Sequence, residues 1–185
     1  MTLEEMKQKV YALIEEYSED AEDLTEDEDL ATKMNSVINS IMFEVARMKK
    51  IPAKTTMEIK FAEGEEEYEI EMTDIDQNIY QIDVIKGVSS NVIGKSVIFN
   101  TEGTAKIYYF KYPIAITENT DDSYVFELDT DALECMIYGV AGDLLKADIS
   151  QGNGNIYMQR YENLLSRLDP RTAMGSIYID GGIEI

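Results

Sequence analysis

Leu3, Met6, Val10, Leu13, Ile14 and Tyr17 recur at intervals of three and four, the stripe of an amphipathic helix over 3–17. A second stripe, Leu30, Met34, Val37, Ile38, Ile41, Met42, Val45 and Met48, predicts a long helix that ends before Pro52. Thr25 and Glu28 have the spacing of a capping box and mark its start. After Lys54 the period falls from 3.6 to 2, which announces a sheet. Met57, Ile59 and Phe61, then Tyr68, Ile70 and Met72, alternate with polar residues around Gly64 and predict a hairpin with one glutamate-rich wet face. Strand-like runs follow at 79–85, 96–100, 105–112 and 123–128, separated by Gly87, Gly94, Gly103 and Asp121-Asp122. About six short strands of this kind make a small sandwich or barrel.

The helical period returns with Leu133, Met136, Ile137, Val140, Ala141, Leu144 and Leu145, capped by Thr130 or Asp129. A last stripe, Tyr157, Tyr161, Leu164, Leu165 and Leu168, follows the loop QGNGN and stops at Asp169-Pro170. SIYIDGGIEI closes the chain with strand-like alternation. The expected architecture is α+β: a four-helix bundle, two N-terminal and two C-terminal helices, with an inserted small antiparallel β-sandwich or barrel and a C-terminal β tail. The expected boundaries are 1–54 for the first helical half, 55–129 for the β module, 130–170 for the second half and 171–185 for the tail. Each helical pair has an apolar stripe that needs a partner.

Composition narrows the chemistry. Sixteen basic against thirty-seven acidic residues give a net charge of −21, which repels nucleic-acid phosphates. There is no His, so His-based triads, dyads and zinc sites are excluded. Cys135 stands alone, suits a reducing compartment and reads as a small buried hydrophobe. The charged opening MTLEEMKQK and the lack of a long apolar run lead us to expect a soluble chain with neither secretory leader nor membrane span.

Near-miss motifs fail on chemistry. Gly87 and Gly94-Lys95-Ser96 have six intervening residues where a phosphate loop has four, and a strand follows instead of a helix. Asp74, Asp76 and Asn78 open like a calcium loop, but Ile79 and Ile85 stand where glycine and a bidentate Glu belong. Glu118, Asp121 and Asp122 form at most a loose calcium site and read as a polar turn. Paired carboxylates can run a glycosidase, but with thirty-seven acids some pairing is accidental, and the chain has no Trp for sugar stacking. The expectation is a non-enzyme with no cofactor and no metal.

Contact surfaces are the better candidates. Eight carboxylates crowd the eleven residues 19–29, while Arg47, Lys49, Lys50 and Lys54 form a dense basic stretch at the other end of the second helix. In copies joined head to tail such patches set register. IYYFKYP carries Tyr108, Phe110 and Tyr112 on one side and Tyr109 on the other, so its second face either packs on the helices or meets another protein. Gly139 and Gly142 each cost about 1 kcal/mol within a helix and suggest close approach by another helix. Ile177, Tyr178, Ile179, Ile183 and Ile185 in the tail suit strand addition to a neighbouring sheet edge.

Five segments, LTEDEDLATKMNSVINSIMFEVARMKKIPA, KIYYFKYPIAIT, YVFELDTDALECMIYGVAGDLLKADIS, NIYMQRYENLLSRLDPR and SIYIDGGIEI, together resemble the head-tail connector (adaptor) proteins of tailed bacteriophages and prophages. The β module departs from the smallest, all-helical connectors. The resemblance implies a structural virion protein assembled in the bacterial cytoplasm, ring-forming with about twelve copies. It implies contacts with a portal protein and with a stopper or tail-completion protein, and DNA that passes through without specific binding. By the same analogy 176–185 docks on the portal and the helix carrying Gly139 and Gly142 serves packing. Two rivals are an acidic DNA mimic that inhibits a host DNA-binding enzyme, and a calcium-dependent or hydrolytic enzyme.

Overall fold

The computed structural model describes residues 1–15, 28–145 and 153–168. The expected capping box at Thr25–Glu28, most of the acidic run, the QGNGN loop and the C-terminal tail therefore lie outside the described residues wholly or in part. Among the described residues there are five helices, α1 (Leu3–Glu15), α2 (Glu28–Lys49), α3 (Met72–Ile75), α4 (Thr130–Leu145) and α5 (Asn153–Leu165), and six strands. These are β1 (Ile51–Ile59), β2 (Tyr68–Glu71), β3 (Ile79–Lys86), β4 (Ser90–Ile93), β5 (Ser96–Phe99) and β6 (Gly103–Lys111). The chain forms two compact units, one of residues 1–51 and 112–168, the other of 52–111.

The helical unit is organised around α4. Of its residues only Thr130 and Asp131 at the start and Glu134 are exposed, and the small residues Ala132, Cys135, Gly139, Ala141 and Gly142 are buried with the larger ones. A helix apolar on nearly every side must be enclosed. Accordingly α1 lays Leu3, Met6 and Val10, α2 lays Ile38, Met42 and Val45, and α5 lays Tyr157 and Tyr161 into the core that includes α4. This overturns the expected four-helix bundle. In a bundle each helix lends one stripe to a common interior; here α4 is itself the interior, and α1, α2 and α5 each make their main helix contact with it.

Local signals explain the ends. The Thr2 amide donates to Glu5 Oε2 at 3.0 Å and the Glu5 amide to Thr2 Oγ1 at 3.2 Å, a capping box that starts α1. Asp129 starts α4, because its Oδ1 accepts the Ala132 amide at 3.3 Å. Lys50, with φ 58°, closes α2 in the left-handed conformation, and β1 begins at the next residue.

Residues 112–128 were expected in the β module and belong instead with the helices. Ile116, Phe126 and Leu128 are buried in the helical core. Asn39 holds the segment by a reciprocal pair, its Nδ2 donating to the Ile116 carbonyl at 2.7 Å and its Oδ1 accepting the Ile116 amide at 2.8 Å. The strand-like alternation at 123–128 reflects an extended stretch beside the N-terminus. There the Leu3 amide donates to the Tyr124 carbonyl at 2.9 Å, and a single bridge joins Thr2 to Val125.

The β unit holds two three-stranded sheets, ordered β1-β6-β3 and β2-β5-β4. Ile59, Ile70, Val97, Phe99, Ala105, Ile107 and Tyr109 from both sheets share one core. This is neither a closed barrel nor the expected hairpin of 57–72, since β1 and β2 go to different sheets. Short β4 has no periodic signal in the sequence, and the glycines of the failed phosphate-loop match build its surroundings. Gly94-Lys95 is the two-residue link between antiparallel β4 and β5, with Ile93 opposite Ser96. Gly87 has φ 95°, and a Cβ there would strike the Thr104 carbonyl oxygen.

Candidate functional site

Most polar groups that the sequence offered for chemistry serve the fold. Asp74 Oδ2 accepts the Glu71 amide at 3.0 Å and caps α3. Asp76 accepts the Asn78 amide at 2.8 Å and the Tyr109 hydroxyl at 2.9 Å. Burial first, and the bond to Asp76 second, push the Tyr109 phenol up to about 12. Asp121 takes hydrogen bonds from the Ser123 hydroxyl and amide, which hold its carboxyl below the usual carboxylate value. Asp122 pairs with Lys7 at 2.8 Å. Among the described residues no group of three acidic or Cys side chains is placed to hold a metal ion. None of their helices is long and apolar enough to cross a membrane.

Cys135 is fully buried, its Sγ 3.7 Å from the Tyr161 carbonyl oxygen. Burial, with Glu44 adding its charge, pushes the thiol up to about 12, so it is a packing atom and no nucleophile at neutral pH. Gly139 and Gly142 lie where helices approach most closely. A Cβ on Gly139 would sit 2.8 Å from Tyr161 and 2.9 Å from Ile41, and one on Gly142 would sit 2.8 Å from Met158. Both glycines are thus covered by the same chain.

The structure disperses the basic stretch at 47–54. Arg47 Nε donates to the Tyr112 hydroxyl at 2.6 Å, and Tyr112 also packs edge-on against Phe43 at 5.5 Å between ring centroids. Lys49 is buried between Asp129 at 3.2 Å and Asp131 at 3.3 Å. Burial alone would lower its pKa, but the bonds to the two carboxylates outweigh that and raise it. A cation ending α2 and two anions opening α4 also match the two helix dipoles. Lys50 forms the turn, and exposed Lys54 falls in the β unit. Phe110 is buried and stacks on Tyr80, with centroids 6.5 Å apart. Ile177, Tyr178, Ile179, Ile183 and Ile185 lie outside the described residues.

What remains open to solvent is a basic face on the β1-β6-β3 sheet. Thr56 and Lys54 on β1 and Lys106 and Tyr108 on β6 line, with Thr55, a cavity of about 470 Å³. Lys86 on β3 lies directly opposite Lys106 in the antiparallel register, and its Nζ is 5.7 Å from the centre of the Tyr108 ring. Glu58 is on the same strand two residues beyond Thr56, with Thr104 donating to it at 3.1 Å. Local spacing in the sequence does not single out Lys86 and Lys106; twenty residues separate them, and only the register brings them together. The same unit carries an acidic surface at Glu65–Glu69, lining a second cavity of about 690 Å³.

Compared with protein-family models and with curated proteins, the sequence matches none.

Proposed function

We propose that this chain is a structural virion protein, a ring-forming head-tail connector that joins the portal to the tail or a stopper. It would assemble from several copies in the host cytoplasm and remain in the virion. The observation that carries the reading is where the connector-like segments fall. Segment 24–53 supplies α2, 124–150 α4 and 155–171 α5, while 106–117 is divided between β6 of the β unit and, from Tyr112, the strap held by Asn39, so four of the five contribute wholly or in part to one compact unit centred on α4. The employment of Asp74, Asp76, Asp121 and Lys49 in caps and ties supports a role fulfilled by surfaces. A wall of net charge −21 would let DNA slide past without gripping its phosphates.

The test is electron microscopy of portal rings from the same genome, before and after mixing with the purified chain. An added disc at one end of the ring is the expected result. Bare portal rings at micromolar protein would overturn the proposal. Within it, 176–185 reaches the portal, so its deletion should abolish capture in a pull-down.

A further inference from the structure

We infer that the lysine face of the β1-β6-β3 sheet receives the acidic segment 63–69, which ends in the first residues of β2, of a second copy of this chain. Three lysines converge there from three strands, and Lys86 and Lys106 stand directly opposite each other. Like charges in that position destabilise a sheet. Among the described residues none of Lys54, Lys86 and Lys106 makes an ion pair. The repulsion is relieved if an anion lies between them, and the Thr56 and Tyr108 side chains beside the cavity offer hydroxyls to the same guest.

The matching anion is in the same unit. Glu63, Glu65, Glu66, Glu67 and Glu69 are all exposed, five carboxylates in seven residues, and Tyr68 among them is 37% exposed. These glutamates have no ion pair among the described residues either. One chain therefore displays both halves of a complementary pair and does not join them to each other. Two different, complementary patches on identical subunits connect head to tail, the geometry that closes into rings. A DNA duplex suits the face less well, because its phosphates continue past three lysines onto a strongly acidic protein, whereas the carboxylates of 63–69 span only seven residues. The inference deepens the ring-assembly reading and rests on it for its biological setting.

Charge reversal in the full chain tests the contact by sedimentation velocity. About 0.1 M salt is suitable, since a screening length of about 10 Å damps the net repulsion between copies but spares close pairs. Wild type should self-associate with rising concentration. Lys54→Glu/Lys106→Glu and Glu65→Lys/Glu67→Lys should each weaken association at least about tenfold. All four positions are exposed, so circular dichroism should be unchanged. An equimolar mixture of the two variants should restore association, because each then supplies what the other lacks. A monomeric wild type, undiminished association of either variant, or a mixture no better than its parts would overturn the inference. So would duplex DNA binding that is lost on reversal of the lysines. Portal capture is read separately: a successful charge swap with bare portals would sink the connector reading alone, and decorated portals with a failed swap would sink this contact alone.

Discussion

Replacing Gly139 with Ala tests whether the approach of helices to α4 is as tight as the structure has it. The added Cβ would stand 2.8 Å and 3.0 Å from two ring carbons of Tyr161 and 2.9 Å from Ile41 Cγ2. Carbon atoms rest at about 3.5–4.0 Å, so both neighbours must retreat by well over half of one ångström. Neither is free to do so. Tyr161 is 2% exposed and its hydroxyl donates to Glu44 at 2.7 Å, while Ile41 is buried on α2. Overpacking of this kind costs about 1–3 kcal/mol, and the two-sided contact puts Gly139 at the upper end. Ala returns about 1 kcal/mol of helix propensity. The net expectation is a loss of about 2 kcal/mol, or about 4–8 °C in Tm for a chain of this size. Urea titration followed by helical circular dichroism measures it. Ile41→Ala removes one wall, so the double variant should be more stable than the sum of the single losses by about 1 kcal/mol. A Gly139→Ala protein as stable as wild type, or strictly additive effects, would refute the geometry.

Other expectations follow from buried groups. The Tyr109 phenol is raised from 10.0 to about 12 in the folded chain, so its contribution is complete below pH 10 and is lost as pH rises from there through about 12. Tyr109→Phe should cost about 0.5–1.5 kcal/mol at pH 7 by losing the bond to Asp76, and should flatten the alkaline decline in a pH series of melts. Cys135 should resist a neutral thiol reagent in the native protein and react fully in denaturant; rapid native labelling would contradict its burial.

Much was legible from local pattern alone. Periods of 3.6 and 2 reported on which residues face a core, so α1, α2, α4 and α5 and the strands around Ile59, Ile70, Ile82, Val97 and Ile107 could be read directly. The same is true of a cap at Thr130 or Asp129, of which the structure uses Asp129, and of Gly139 and Gly142 as points of close approach, because these roles depend on residues a few positions away or on the lack of a side chain. Net charge and the absence of His are sums over the chain and need no coordinates.

Pairing was decided only in three dimensions. Alternation says that a residue is half-buried, but it does not name the partner, and so β1 and β2 parted into different sheets and 123–128 became an extended strap under the helices. The apolar stripe of α4 did not reveal that its small residues were buried as well, which turned an expected bundle into three helices around a fourth. The basic patch moved for the same reason. Lys49 found two carboxylates some eighty residues away, while Lys54, Lys86 and Lys106 met on one sheet through strand register, a long-range property that local sequence spacing does not encode.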